Sequence, residues 1–244
     1  KRKMRSLSTI YLAGKEKEIF DKINEFRSAE TESLYNSLGI PYKMNMLFHG
    51  YPGTGKTSLI YSLASELNMD VALVNFTREM NDIHLMRAMR RLPSDTILVL
   101  EDIDVLFECR KKNDENKSAI SFSGLLNCLD GIAHSDKQII IMTTNCKMVL
   151  DKALTRPGRI DLDLEFKYSS KKQIEAMFKR FLPKQTDKFK EFYKLVKPLN
   201  LTTAILQQFF FSNIKCDNII DRISELEEIC ANNNYDRSKD TLYT

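Results

Sequence analysis

The chain has 244 residues, 43% of them hydrophobic and 29% charged, proportions that suit one good-sized core or a core with a smaller attached domain. A net charge of +4 carries no strong nucleic-acid or membrane signal, and no apolar run approaches the ~20 residues that cross a bilayer. The five cysteines (Cys109, Cys128, Cys146, Cys216, Cys230) are scattered without a CxxC pair, which reads as reduced, intracellular thiols, not a disulfide frame or a zinc site.

Residues 1–10 form a basic, polar arm, and Lys1-Arg2-Lys3 with Arg5 is read as a solvated linker. The chain starts without an initiator Met, so it is expected to be a piece of something longer. Membrane attachment is therefore expected only through segments absent from it, and the location is left as cytoplasmic or organelle-membrane-associated. Ile19, Phe20, Ile23 and Phe26 recur at helical spacing across Gly14–Arg27, and Gly39-Ile40-Pro41 marks a turn. Asn45–His49 reads as a strand, Lys56–Leu67 as a helix, Val71–Phe76 as a strand, Asp82–Arg91 as a helix and Thr96–Leu100 as a buried strand. Residues 110–118 carry no apolar side chain and read as a flexible loop, with a channel-lining role as the alternative. A helix over Phe122–Leu129 and a strand over Gln138–Thr143 follow. In Asp161–Phe166 the apolar Leu162, Leu164 and Phe166 alternate with acids, as in a half-buried strand.

Strands alternating with helices predict an α/β fold: a parallel sheet with helices on both faces. Past Tyr168 only helical patterns remain, over Lys171–Phe181, Lys188–Val196, Thr202–Ser212 and Asn218–Ala231. The expected organisation is a P-loop α/β core over residues 1–168 and a small all-helical lid over residues 169–244.

Three of the eight glycines, Gly50, Gly53 and Gly55, fall within six residues. They belong to Gly50-Tyr51-Pro52-Gly53-Thr54-Gly55-Lys56-Thr57, which fits G-x-x-x-x-G-K-[ST] between a strand and a helix. Backbone N–H groups in such a loop cradle phosphates, the lysine reaches the β/γ oxygens, and the threonine hydroxyl ligates Mg²⁺. ATP and Mg²⁺ are the expected ligands, with Ser58 completing the nucleotide contacts.

Such a site also needs an acid for the metal and a base for the attacking water. The apolar run Ile97–Leu100 ends in Glu101 and Asp102, at the strand end where open α/β sheets bind ligands. Neighbouring residues on a strand face opposite sides, so the two carboxylates are not expected to be interchangeable. A second apolar strand ends in Thr143-Thr144-Asn145, and Asn145 is the candidate to orient that water. Arg156-Pro-Gly-Arg159 sets two cations around a turn. They stabilise transition-state charge on a γ-phosphate, or they pair with local acids such as Asp161 and Asp163, and the sequence leaves the two readings even.

In this order, and followed by helices, these motifs resemble the AAA family of ATPases. The resemblance is nearer to one branch, the mitochondrial translocases that deliver the folded Rieske subunit to respiratory complex III. Tyr35–Tyr42, Leu100–Asp104, Phe122–Gly131, Met142–Asn145 and Leu154–Asp161 carry it, within a match from about Arg5 to Ser212. It implies a five-stranded sheet of order 5-1-4-3-2, an adenine slot at Ile10, Tyr11 and Leu12, and a homo-oligomeric ring. In that ring Arg159 reaches the neighbour's ATP, with Arg156 in support. Leu162 stands where a second finger arginine is common. Most relatives place Asp before Glu, whereas this chain has Glu101 then Asp102, as the translocase branch does. By register against Ile103-Asp104, the resemblance implies the metal for Glu101, facing Thr57, and the base role for Asp102, at the attacking water beside Asn145.

Phe76–Asp82 lacks the aromatic-apolar-glycine loop with which threading unfoldases grip extended chains, favouring a machine that remodels folded protein clients. A nucleic-acid-linked ATPase, such as a loader or replication factor, is the competing function. No nucleic-acid partner is expected, since charge is near neutral and no basic-aromatic surface is evident. A third reading is a nucleotide-gated scaffold that hardly turns over. Two plainer expectations remain. His49 should satisfy a backbone group at its strand end, and two of Phe209, Phe210 and Phe211 should be core with the third covering a subunit contact.

Overall fold

The computed structural model of the chain describes residues 6–76, 80–93, 95–107, 120–130 and 137–240. Its contacts divide it into two units: residues 1–10, 15–50 and 56–166 in the first, and residues 11–14, 51–55 and 167–244 in the second. The basic arm at Lys1–Arg5 and the 110–118 loop lie outside the described residues, as do residues 77–79 of the stretch after the second strand.

The first unit is built on β1 (Lys43–Gly50), β2 (Asp70–Val74), β3 (Thr96–Leu100), β4 (Gln138–Thr144) and β5 (Leu162–Phe166). The strands are parallel throughout and lie in the order β2-β3-β4-β1-β5, the 5-1-4-3-2 arrangement that the sequence implies. β3 and β4 are buried along their whole lengths, which is why both read as unbroken apolar runs. β5, at an edge, buries Leu164 and Phe166 and exposes Asp163 and Glu165, the alternation visible in its sequence. β2, at the other edge, stops at Val74, short of the expected Phe76.

Helices α1 (Lys15–Phe26), α2 (Ala29–Leu38), α3 (Lys56–Glu66), α4 (Asp82–Arg90) and α5 (Phe122–Leu129) complete this unit. On one face of the sheet, Leu47, Leu98, Leu100, Ile140 and Met142 pack with Leu85 and Met89 of α4 and Leu125 and Leu129 of α5. The Asp82 carboxylate joins the two helices, accepting from the Ser121 N–H (2.7 Å) and hydroxyl (2.6 Å). α2 is absent from the sequence reading because it buries no residue and so has no apolar stripe. Its ends hold it instead. The Ser28 hydroxyl accepts from the Thr31 N–H, and Gly39 closes the helix in the left-handed region.

The second unit holds α6 (Lys171–Phe181), α7 (Phe189–Val196), α8 (Thr203–Ser212) and α9 (Ile223–Asp240). Its core centres on Phe178, Phe192, Phe209 and Phe210, all fully buried with ring centroids 5.1 to 6.2 Å apart. Phe211 is 69% exposed, so the Phe209–Phe211 run divides two to one as expected. A reciprocal box of Ser170 and Gln173 caps α6. The helix expected from Asn218 instead opens with a 3-10 turn over Ile219–Arg222, and α9 starts at Ile223.

Gly50 ends β1 at φ +132°, where a Cβ would sit 2.0 Å from the carbonyl oxygen of Phe166 on β5. Both the backbone angle and the space require glycine there. Gly50→Ala is expected to cost about 3 kcal/mol or more, lowering the melting temperature by roughly 6–12 °C. Thermal unfolding followed by circular dichroism measures it.

Candidate functional site

Five candidate residues of the first unit, Lys56, Thr57, Glu101, Asp102 and Asn145, gather at the carboxyl ends of β1, β3 and β4. Lys56, the first residue of α3, is buried, and its Nζ donates to the Gly50 carbonyl at 2.7 Å and to Asn145 Oδ1 at 2.9 Å. Desolvation lowers the pKa of its ammonium, and the nearby charges of Asp102 and Asp104 oppose that shift. Asn145 follows directly on β4 and donates its Nδ2 to Asp102 Oδ1 at 3.4 Å. The Thr57 hydroxyl donates to Glu101 Oε1 at 3.3 Å.

Glu101 and Asp102 thus part company, Glu101 toward Thr57 and Asp102 toward Asn145. The cause differs from the expected one. β3 ends at Leu100, so strand alternation does not reach the acids. Asp102 takes a left-handed backbone at φ 50°, with its N–H given to Thr143 Oγ1 at 3.1 Å. An aspartate in that region is a local strain worth about 1 kcal/mol or more. Thr143, which the motifs did not single out, helps to hold it. Desolvation, then the like charges of Asp104 and Glu101, raises the Asp102 carboxyl above the usual carboxylate range, with Lys56 opposing. Asp104, which the sequence reading used only to set register, is buried, whereas Asp102 is exposed.

Thr57 and Glu101 present a hydroxyl and a carboxylate oxygen, hard donors that fit Mg²⁺, which takes few protein ligands and keeps water and phosphate oxygens.

Residues 51–55 belong by contact to the second unit. There the Thr54 hydroxyl donates to the Tyr51 carbonyl at 2.6 Å, and the Tyr51 ring stacks on Tyr168 at 4.3 Å between centroids. Pro52 and Gly53 are exposed, Gly55 and Ser58 half-buried. Of the residues named for an adenine slot, Ile10 is buried and falls in the first unit, whereas Tyr11 and Leu12 are half-buried and fall in the second. The Tyr11 carbonyl accepts from Gln173 Nε2 at 2.5 Å.

Arg156 is exposed and starts the Pro-Gly turn, its carbonyl accepting the Arg159 N–H at 3.2 Å. Arg159 grips Asp130 with Nε and Nη2, both at 2.6 Å, and gives Nη1 to the Ala153 carbonyl at 2.7 Å. These bonds hold the Asp130 carboxyl below its ordinary range. A local acid does pair with Arg159, but it is Asp130 at the end of α5, 29 positions away. Asp161 instead accepts the Asn45 N–H at 2.7 Å. Asp163 bonds Lys147 and, at 3.0 Å, His49 Nε2, so the histidine meets a carboxylate and not the expected backbone group. Nothing in the spacing of Asp130 or Asp163 signals these partners.

Comparison with known proteins adds a family. Residues 46–168 match the ATPase family associated with various cellular activities (AAA). The chain is 36% identical to "Probable mitochondrial chaperone bcs1" of Schizosaccharomyces pombe, over 87% of its own length and 48% of that protein's. It is 37% identical to "Mitochondrial chaperone BCS1" of Danio rerio, covering 86% of the chain and 52% of the relative. For the protein of that name in Homo sapiens the figures are 34%, 89% and 54%. The chain therefore spans about half the length of the curated relatives it matches. No helix among its described residues is long and apolar enough to cross a membrane.

Lys56→Ala is expected to abolish ATP binding, since it removes the cation placed at the loop between Gly50 and Asn145. Isothermal titration with a non-hydrolysable ATP analogue checks this, and unchanged affinity would take the loop out of the site.

Proposed function

The chain belongs to the AAA family of ATPases, and from that premise we propose that it binds ATP with Mg²⁺ at residues 50–58 and hydrolyses the γ-phosphate. We place this activity in a homo-oligomeric ring that works on a protein client. The reading is carried by one observation: Lys56, Asn145 and Asp102 form a continuous hydrogen-bonded chain beside the Thr57–Glu101 pair.

Each group has a part in that chemistry. Backbone N–H groups of the loop and the Lys56 ammonium bind the β- and γ-phosphates. Thr57 and Glu101 would hold Mg²⁺, which would supply charge neutralisation on the phosphate oxygens. Asp102 accepts a hydrogen bond from the attacking water and takes its proton as the new P–O bond forms. The bond from the γ-phosphorus to the bridging oxygen breaks, leaving ADP and inorganic phosphate. An aspartate is one methylene shorter than the glutamate common at this position, so the water sits nearer the sheet or a second water bridges. Asn145, bonded to both Lys56 and Asp102, keeps that base in register with the phosphate cation.

Arg159 completes the site of the next subunit. Three of its five N–H donors are taken by Asp130 and Ala153, which fixes the plane of the guanidinium and leaves two donors for a neighbouring γ-phosphate. Arg156, exposed on the same turn, supports it. The relatives named as mitochondrial chaperones support a protein client and an organelle location. The stretch after β2 lacks the aromatic-apolar-glycine signature of threading machines, which favours a folded client. Membrane attachment, if the full protein has it, comes through segments outside this chain.

Two experiments test this reading. Asp102→Asn should keep ATP·Mg²⁺ bound but unhydrolysed, whereas Glu101→Gln should weaken the Mg²⁺ dependence of binding. Nucleotide affinity with and without Mg²⁺, read beside single-turnover hydrolysis, separates the two; the opposite pattern reverses the roles. Specific activity should also rise with protein concentration, and Arg159→Ala should lose turnover while keeping nucleotide affinity. Mixing Arg159→Ala with Lys56→Ala should then restore part of the activity, because each subunit supplies what its neighbour lacks. No rescue at any ratio, with mixed rings shown to form, would confine Arg159 to its own subunit.

A further inference from the structure

The carbonyl of Gly53, in the middle of the phosphate loop, is held by two donors from the start of α8. The Ala204 N–H reaches it at 3.0 Å and the Thr203 hydroxyl at 3.1 Å. The fit is close on both sides. A Cβ on Gly53 would stand 3.2 Å from the Ala204 Cβ and 3.3 Å from Thr202 Oγ1, and one on Gly55 would stand 3.6 Å from Thr203 Oγ1. Thr202 is buried and fixed as the cap of α8, its hydroxyl accepting from the Ile205 N–H at 3.3 Å. The two donors therefore stand on a helix start whose own geometry is set.

Peptide planarity turns this contact into a statement about the loop. In a trans peptide the C=O and the following N–H point in opposite directions, and the peptide bonds among the described residues are trans. Fixing the Gly53 carbonyl toward Thr203 and Ala204 aims the Thr54 N–H the other way. Gly53 has φ +74° and no Cβ to oppose rotation on its side of this peptide, so the two donors on its carbonyl supply a restraint that the residue itself lacks. The loop binds phosphate only through N–H groups that converge, and preorganised donors bind more tightly than donors that must be ordered on binding.

We propose that Thr203 is a positioning residue for phosphate binding. Its hydroxyl, together with the Ala204 N–H, locks the Gly53–Thr54 peptide with the Thr54 N–H turned to the phosphates. The role rests on the reading of residues 50–58 as an ATP-binding loop. It touches neither the base nor the metal ligands, so it governs affinity and leaves the chemical step alone.

The test compares Thr203→Val, which keeps the shape and removes the hydroxyl, with Thr203→Ser, which keeps the hydroxyl. Titration with a non-hydrolysable ATP analogue and with ADP should give a roughly three- to tenfold higher Kd for Thr203→Val with both nucleotides, the worth of one hydrogen bond. Thr203→Ser should bind within about twofold of the unaltered chain, and kcat at saturating ATP should stay within about twofold for both variants. Thr203→Val binding like the unaltered chain overturns the proposal, and so does Thr203→Ser losing as much as Thr203→Val. A fall in kcat equal to the fall in affinity also overturns it, since that marks a general disturbance. Lys56→Ala in the same titration separates the two layers. If it binds nucleotide normally the loop reading fails, and if it loses binding while Thr203→Val does not, only the role of Thr203 fails.

Discussion

A largely buried ammonium ties this site together. Lys56 starts α3, yet its Nζ reaches back to the Gly50 carbonyl at the end of β1 and across to Asn145 at the end of β4. A cation taken out of water must be met by oxygens, and those oxygens must stay in place for the burial to be tolerated. The strand ends, the start of the helix and the polar residue after β4 are thus bound to one position. Asp102 joins through Asn145, so its carboxylate and the Lys56 ammonium share one hydrogen-bonded chain. A parallel sheet makes this possible, because all its carboxyl ends open on the same edge.

At the same edge two adjacent carboxylates acquire different partners. Glu101 meets Thr57, and Asp102 turns away through a left-handed backbone held by Thr143. Partial desolvation, then the like charges of Asp104 and Glu101, push the Asp102 carboxyl upward, the direction that makes a carboxylate a better proton acceptor.

Arg159 and His49 carry a different lesson about charge. Both find carboxylates distant in sequence, Asp130 and Asp163, and each acid is thereby committed. The Arg159–Asp130 pair is bidentate, which fixes a plane and not merely a distance. Long side chains lose much rotamer freedom when ordered, and here two partners share that cost for one guanidinium.

Much of the fold is legible in the sequence because local chemistry dictates it. The buried runs Thr96–Leu100 and Gln138–Thr144 have no soluble alternative to a covered strand, and the loop from Gly50 to Thr57 is readable because phosphate chemistry demands glycines and a lysine at fixed spacing. The order of the motifs carries the family resemblance, and the sheet order is implied by that resemblance alone. Tertiary structure alone decided the rest. α2 has no apolar face to announce it and stands on its caps. The angle at Asp102, the pairing of Arg159 with Asp130 and the clasp of Thr203 on Gly53 join residues with no spacing rule between them. Periodicity and motifs record what a residue needs from its neighbours along the chain. Which distant donor meets which acceptor is fixed only when the whole chain packs, because only then is each buried polar group forced to find a partner.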